Sequence, residues 1–123
     1  MLPWNKKQAG DHFEQQARNY LSQRGLKFLA KNARCKQGEI DLIMQDGECT
    51  VFIEVKFRKT NTFGGAAYAI GEKKKARLFA AAEFWLCQQG KNSAHTEFRF
   101  DAVTFEGDVS SVNWIKNIEI KGF

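Results

Sequence analysis

The sequence contains few of the residues that build zinc sites and disulfide frameworks. Its three cysteines, Cys35, Cys49 and Cys87, are odd in number and too widely spaced for a zinc knuckle. This pattern is typical of reduced thiols in a core or on a surface. The two histidines, His12 and His95, lie far apart and complete no ligand pattern. Structural zinc is therefore not expected.

Long hydrophobic runs are also missing from the chain. No apolar stretch approaches the roughly 18 residues of a membrane-spanning helix. Residues 1–10 lack the apolar core of a signal peptide. The sequence therefore predicts a cytoplasmic protein without a membrane partner.

No linker, internal repeat or low-complexity tract divides the chain, which predicts a single domain spanning residues 1–123. A chain of this length buries roughly two thirds of its unfolded surface around one core. Its hydrophobic content of 43%, with 13% aromatic residues, favours a packed fold over disorder.

The net charge of +5 is modest, and its distribution is more informative than its size. The basic residues form three clusters, two of them flanking a central hairpin and one opening a later helix. They are Lys31, Arg34 and Lys36; Lys56, Arg58 and Lys59; and Lys73, Lys74, Lys75 and Arg77. Together they resemble the electrostatic footprint of a protein that binds a phosphate backbone. For any single cluster, a solvated basic surface is an equally good interpretation.

The segment from residue 38 to residue 58 organises the chain. Two stretches rich in Ile, Val and Phe flank the dipeptide Asp46-Gly47, which is a strong short-range signal for a β-hairpin. The first strand is predicted for residues 40–44 and the second for residues 51–57.

Side chains alternate across a strand, so the second hairpin strand has two distinct faces. One face is wholly apolar and must be buried, and consists of Val51, Ile53, Val55 and Phe57. The other begins apolar and ends charged, and consists of Phe52, Glu54, Lys56 and Arg58. This pattern predicts a central strand whose carboxyl end opens into a polar site, where α/β proteins tend to place ligands.

Hairpin pairing is expected to bring Asp41 of the first strand beside Glu54 of the second. Two carboxylates about 4 Å apart repel by roughly 4 kcal/mol at an effective dielectric constant near 20, so one of them would take up a proton. A divalent cation removes this conflict, because two carboxylates, waters and a phosphate oxygen form an all-oxygen site suited to Mg²⁺. Lys56 would then point at whatever the metal holds.

The alternative interpretation of Glu54 and Lys56 is a surface salt pair, which is the usual meaning of Glu-x-Lys on a strand. The functional interpretation is favoured because these charges interrupt a strand that is too apolar for an exposed edge. Charged residues are seldom buried without a reason.

The rest of the chain predicts two helices and further strands. The first helix is predicted to begin with Asp11 as its N-cap, and the second to carry an apolar face containing Ala76, Phe79, Ala80 and Leu86, with Glu83 in line. The elements are a helix at 11–24, a strand at 26–33, the hairpin, a helix at 71–89, a strand at 96–105 and a short closing strand or loop at 114–120. This order, αβββαβ, predicts an α/β fold with a mixed central sheet flanked by helices.

Four further features carry alternatives. Glu14 borders the buried face of the first helix, where it either reaches toward the sheet or serves only as a capping-box carboxylate. The turn-rich segment 60–65 is either a mobile loop that closes over a substrate or a plain connection. The lysines at 73–75 either favour a phosphate at the helix start or are simply exposed. Asp101 is expected to pair with Arg99 or another basic group in preference to a catalytic role.

This order of elements, with its acids and lysine, resembles the restriction-endonuclease-like, or PD-(D/E)xK, nuclease core, and within it the archaeal Holliday junction resolvases. Four segments resemble more specifically the YraN family of small bacterial proteins, and the likeness covers nearly the whole chain. They are Gly38-Glu39-Ile40-Asp41-Leu42-Ile43, Val51-Phe52-Ile53-Glu54-Val55-Lys56-Phe57-Arg58, Phe63-Gly64-Gly65-Ala66 and Arg99-Phe100-Asp101-Ala102-Val103. Ile40 departs from the broad motif, which often has proline there.

The resemblance implies an endonuclease that hydrolyses DNA phosphodiester bonds with Mg²⁺ or Mn²⁺. It implies that Asp41 and Glu54 bind the metal with the Val55 carbonyl, and that Lys56 orients or activates the attacking water. Glu14 matches the first-helix carboxylate of the nuclease family, and Lys73 or Lys74 would match a basic residue of the second helix.

Branched DNA is the substrate implied by the resemblance to junction resolvases. The residues expected to hold its backbone are Arg34, Lys36, Arg58, Lys59, Lys73, Lys74 and Lys75. A homodimer is expected only if junction resolution is the task, because cutting both strands symmetrically needs two sites. The competing hypotheses are a nucleic-acid-binding protein that does not cleave and a small α/β scaffold whose charges form internal salt pairs.

Overall fold

A computed structural model of the chain describes residues 6–58, 71–107 and 110–118. In chain order, its elements are α1 Lys6–Ser22, β1 Lys27–Arg34, β2 Glu39–Asp46, β3 Cys49–Arg58, α2 Glu72–Gln88, a 3₁₀ helix Ser93–His95, β4 Phe98–Glu106 and β5 Val112–Ile115. The predicted α/β fold and the order of its elements are confirmed, and β5 is the predicted closing strand. Neither α1 nor α2 is long and apolar enough to span a membrane.

The five strands form one mixed sheet in the order β1-β2-β3-β4-β5. Neighbouring strands run antiparallel except for β3 and β4, which are parallel. A parallel pair requires a crossover connection, and α2 lies between these two strands in the chain. β3 is therefore the central strand of the sheet, as the sequence predicts.

β2 and β3 form the predicted hairpin. Asp46 pairs with Cys49, so Gly47 and Glu48 make a two-residue loop. Gly47 has a φ of 61°, in the left-handed region that the tight hairpin loop needs at its first position. Asp46 is the last residue of β2, so the turn begins one residue later than the Asp46-Gly47 step suggests.

The sheet separates two hydrophobic cores, one against α1 and one against α2. The side chains of β3 divide between them as predicted. Val51, Ile53, Val55 and Phe57 belong to the core that α1 covers, and Phe52 belongs to the core that α2 covers. Burial of a large apolar side chain stabilises a fold by roughly 1.5 to 3 kcal/mol, so these residues fix the two helices on opposite faces of β3.

The predicted start of the first helix was wrong. α1 begins at Lys6, so Asp11 lies inside the helix and is not its N-cap. Asp11 instead forms an exposed ion pair with Lys7, with 3.1 Å between Lys7 Nζ and Asp11 Oδ2. Lysine, glutamine and alanine before Asp11 favour helix formation, and this extends the helix past the capping signal. Glu14 consequently cannot be a capping-box residue.

The predicted apolar face of α2 is confirmed only in part. Leu86 is buried and Phe79 packs against the α2-side core, as predicted, but Ala76 and Glu83 are exposed. The other buried residues of the helix are Leu78, Ala81 and Ala82. Alanine fills so much of this helix that its hydrophobic periodicity is weak, and the sequence pattern does not fix which side faces the sheet.

Asp101 is fully buried and is satisfied by residues around it. Arg99 donates to both carboxylate oxygens at 3.0 and 3.2 Å, and the Trp114 indole donates to Oδ2 at 2.9 Å. The backbone N–H of Asn117 donates to Oδ1 at 2.8 Å. Asp101 thus ties β4 to β5 and to Asn117, two residues after β5. The predicted pairing with Arg99 is confirmed.

Replacing Asp101 by alanine is expected to lower the free energy of unfolding by about 3 kcal/mol or more, because Arg99 would lose its buried partner. Urea denaturation of the wild-type protein and the variant measures this difference. Asp11→Ala, which removes only an exposed ion pair, is the control and should change stability by less than about 1 kcal/mol. Equal losses in the two variants would contradict the structural role of Asp101.

Candidate functional site

The regular alternation of side chains breaks where β1 and β2 lie side by side. On β2, Ile40 and Ile43 both belong to the core that α2 covers, and Leu42 between them belongs to the core that α1 covers. On β1, Ala30 and Ala33 both pack against the α2-side core. Residues three positions apart on a regular strand face opposite ways. Both strands therefore change faces locally, at Asp41 on β2 and beside it on β1.

Asn32 lies at this break on β1 and has an unusual backbone conformation. Its φ of 52° is in the left-handed region, which asparagine tolerates better than most residues. In the amide orientation that its surroundings require, the Asn32 side-chain nitrogen lies 3.1 and 3.3 Å from the two carboxylate oxygens of Glu14. The irregular strand thus connects to the acid on α1.

Asp41 lies at the same break on β2. Regular pairing between β2 and β3 runs from Asp46–Cys49 to Leu42–Ile53. At the next position, Oδ2 of Asp41 accepts a hydrogen bond from the backbone N–H of Val55 at 2.9 Å. A side-chain carboxylate therefore accepts from this β3 amide, which holds Asp41 against the strand that carries Glu54.

The predicted meeting of Asp41 and Glu54 is confirmed. Burial, the charge of Glu54 and a hydrogen bond with the Glu54 carboxyl group together raise the pKa of Asp41 to about 8. Glu54 is itself buried, with 7% of its surface exposed. Burial affects the pKa of Asp41 more than does the repulsion between the acids, which is the cause that the sequence predicts. Without a metal ion, Asp41 and Glu54 therefore share a proton at neutral pH.

Lys74 of α2 forms an ion pair with Oε2 of Glu54. The side chain of Glu54 is 8% exposed and that of Lys74 is 46% exposed, so a half-exposed cation covers a buried acid. The sequence pointed to Lys74 as a backbone-binding residue and as one of two candidates for a basic residue of the second helix. Its contact with Glu54 places it directly at the acid pair.

Glu14 of α1 belongs to the same electrostatic group. Burial raises its pKa, as do the charges of Asp11 and Glu39, whereas Lys31 and the Asn32 amide lower it. The charge of Glu14 in turn raises the pKa of Asp41. The sequence alternative in which Glu14 reaches toward the sheet agrees with these contacts.

Lys56 is exposed on β3, two residues beyond Glu54. It forms no ion pair with any residue in the described parts of the chain. An exposed ammonium group two residues beyond Glu54 is available to a bound ligand, but its role in orienting water stays a prediction.

The other basic residues predicted to hold nucleic acid differ in their availability. Arg34 lies 3.4 Å from the Glu39 carboxylate, and Lys75 lies 3.3 Å from Glu72. Lys36 and Lys73 are exposed and Arg58 is half-buried. Lys59 and the predicted loop at 60–65 lie outside the described residues.

The acids do not form a compact three-ligand metal site by themselves. Across residues 6–58, 71–107 and 110–118, no three His, Cys, Asp or Glu side chains come together closely enough to hold a metal ion. Any divalent cation at Asp41 and Glu54 would therefore need water or a backbone carbonyl to complete its shell. The Val55 carbonyl remains a predicted ligand, and the N–H of the same residue is bonded to Asp41.

Comparison with known proteins places the chain in a family. The model of the family described as "Uncharacterised protein family UPF0102" matches residues 13–105. The chain belongs to the UPF0102 family. All the acids of the candidate site and the lysines at positions 56 and 74 lie within the matched segment.

Similar proteins occur in several bacteria. A UPF0102 protein of Photobacterium profundum is 46% identical over 121 residues, covering 98% of this chain and 97% of its own. Another from Klebsiella pneumoniae is 48% identical over 111 residues, covering 90% and 85%. A UPF0102 protein of Vibrio campbellii is 41% identical over 119 residues, covering 97% and 98%. The likeness therefore extends over nearly the whole length of the proteins.

Two contacts of the site were not predicted from the sequence, the ion pair of Lys74 with Glu54 and the contact of Asn32 with Glu14. The Lys74 contact with Glu54 depends on how α2 packs across the sheet, and nothing in the local sequence specifies that distance. Asn32 gave a weak signal, because asparagine inside an otherwise strand-like segment favours an irregular backbone.

The raised pKa of Asp41 predicts a pH dependence of stability. The ordinary pKa of Asp41 is 3.8 and its folded value is about 8, so between these values the folded protein holds a proton that the unfolded chain releases. In metal-free buffer, this group should lower the free energy of unfolding as pH rises from about 4 to about 8, by at most about 1.4 kcal/mol per pH unit.

Asp41→Asn should remove most of that slope, because the amide stays neutral at every pH and still accepts from the Val55 N–H. Urea denaturation at pH 5, 7 and 9 with a chelator measures the slope in wild-type protein and variant. Glu48→Gln, in the exposed hairpin loop, is the control and should keep the wild-type slope. Parallel curves for the wild-type protein and Asp41→Asn would show that Asp41 is not the titrating group.

Proposed function

We propose that this protein is a metal-dependent endonuclease that hydrolyses DNA phosphodiester bonds, with a restriction-endonuclease-like core of the YraN type. The observation that carries the proposal is the pairing of half-buried Asp41 with buried Glu54 at an irregular point of the sheet, with Lys56 exposed two residues beyond Glu54. A purely structural role gives little reason to place two acids against each other away from water, because each raises the cost of ionising the other.

The donor atoms at this point fit Mg²⁺ or Mn²⁺. Carboxylate oxygens are the ligands that these hard cations prefer, and a cation would relieve the repulsion that raises the pKa of Asp41. Asp41 and Glu54 would hold the ion, with the Val55 carbonyl and water in the remaining positions. When bound, the metal stabilises charge on the phosphoryl group and lowers the pKa of a water molecule.

The protein's own groups have separate roles in this proposal. The Lys56 ammonium group orients the attacking water in front of the acid pair. Glu14, held by Asn32, adds a third acidic group that influences the protonation of Asp41. Lys74 of α2 neutralises Glu54 through their ion pair.

Basic residues around the acids would hold the phosphate backbone. Lys31, Lys36 and Lys73 are exposed, and such residues bind phosphates without reading bases. Substrate choice would then follow DNA shape, which favours branched or junction DNA in repair or recombination in the cytoplasm. A homodimer fits this task, because two strands are cut symmetrically by two sites.

Purified protein incubated with branched, single-stranded and duplex DNA plus Mg²⁺ or Mn²⁺ tests the proposal. Asp41→Ala and Lys56→Ala should each lower the cleavage rate by about 100-fold or more, as expected for loss of a group that acts on the reacting water. Glu48→Ala, which changes an exposed carboxylate of the hairpin loop, should leave the rate unchanged.

Cleavage that persists in both variants would contradict the assignment. Binding without products in any metal would instead favour the non-cleaving nucleic-acid-binding protein. That alternative predicts an affinity that falls linearly with salt on a logarithmic scale. If the protein neither binds nor cleaves DNA, the remaining hypothesis is a small α/β scaffold with internal salt pairs. The Glu54–Lys74 ion pair is compatible with that hypothesis.

A further inference from the structure

Glu54 and Lys74 form an unequal ion pair. The acid lies on the central strand with an 8% exposed side chain, whereas the lysine side chain on α2 is 46% exposed. A buried carboxylate depends strongly on its partner, because removing the partner leaves an uncompensated charge in the interior. A half-exposed lysine depends on the contact far less, because its ammonium group keeps much of its contact with water. The pair therefore has one fixed member and one that is free to move away.

The position of Lys74 within α2 supports this view. It lies in the first turn of the helix, where a positive charge is disfavoured by the helix dipole. Its neighbour Lys75 pairs with Glu72 inside the same turn, at 3.3 Å. Lys74 instead pairs across to the sheet, so the contact with Glu54 offsets an unfavourable helix position.

α2 approaches the chain closely at Gly38, the residue before β2. A Cβ atom at Gly38 would lie 3.3 Å from the Cβ of Arg77 and 3.4 Å from its carbonyl oxygen. The first distance is tighter than an ordinary van der Waals contact, so the glycine permits the helix to approach this closely. Arg77 is one helical turn from Lys74, and the contact therefore helps to set the distance between Lys74 and Glu54.

We propose that Lys74 is the exchangeable counter-ion of the acid pair: its ammonium group neutralises Glu54 in the metal-free protein and leaves Glu54 when a divalent cation binds. This inference rests on the proposed metal site and specifies how that site is regulated. The exchange keeps Glu54 neutralised in both states. It also frees a positive charge beside the cation, where a phosphate group of the nucleic acid would lie.

The exchange predicts that Lys74→Met raises the affinity for Mn²⁺ and lowers the melting temperature of the metal-free protein. Lys74→Met keeps the length of the side chain and removes its charge, so the metal no longer competes with an ammonium group for Glu54. Mn²⁺ affinity should rise by about fivefold, the upper end of what a partly exposed ion pair contributes. The metal-free variant should melt several degrees below the wild-type protein, because Glu54 has lost its partner.

Mn²⁺ binding is measured by electron paramagnetic resonance of the free ion, and melting by circular dichroism with and without Mn²⁺. Lys91→Met is the control, because it removes an exposed lysine that has no role in the proposed site and should change neither the affinity nor the melting temperature appreciably. Lys74→Arg keeps the charge and should return the Mn²⁺ affinity to the wild-type value or below it.

The outcomes separate this inference from the proposed function. Equal or weaker Mn²⁺ binding by Lys74→Met overturns the exchange, even if the wild-type protein cleaves DNA. Stronger Mn²⁺ binding by Lys74→Met than by the wild-type protein, with no DNA cleavage by either, supports the exchange and contradicts the proposed endonuclease activity. Absence of Mn²⁺ binding in the wild-type protein and in every variant overturns both.

Discussion

The structure depends on the placement of acids around one buried carboxylate, Glu54, at a single point of the sheet. Asp41 and Glu54 are close enough to share a hydrogen bond, and Glu14 is near enough to influence the protonation of Asp41. An apolar core cannot accommodate ionised acids unless protons, hydrogen bonds or cations compensate them. The protein uses all three, through the raised pKa of Asp41, the Val55 amide and the Lys74 ammonium group.

The hairpin and the central strand could be predicted because local signals determine them. Glycine after Asp46 and the alternation along Val51–Phe57 depend only on neighbouring residues, and both agree with the structure. The hairpin register, continued one position beyond the Leu42–Ile53 pair, places Asp41 opposite Glu54, so the acid pair could also be predicted from sequence. These predictions succeeded because a tight turn and the alternation of side chains along a strand allow only one arrangement of the hairpin. The break in side-chain alternation at Asp41 could not be predicted in this way.

The errors have different physical causes. Asp11 is a good capping residue, but the residues before it also favour a helix, so the stronger propensity decides the start. The alanine-rich α2 has a weak hydrophobic direction, and its orientation follows from contacts with the sheet, such as the approach of Gly38 to Arg77. The partner of Glu54 depends on that orientation, so tertiary packing determines which lysine meets it.

The irregular course of β1 has a consequence for association of the molecule. β1 is an outer strand of the sheet, and its pairing register shifts between Phe28 and Ala30 before Asn32 adopts its left-handed conformation. An outer strand with two such irregularities presents a broken row of backbone donors and acceptors to another chain. The distortion that accommodates the acids therefore also protects this edge against uncontrolled strand addition and aggregation.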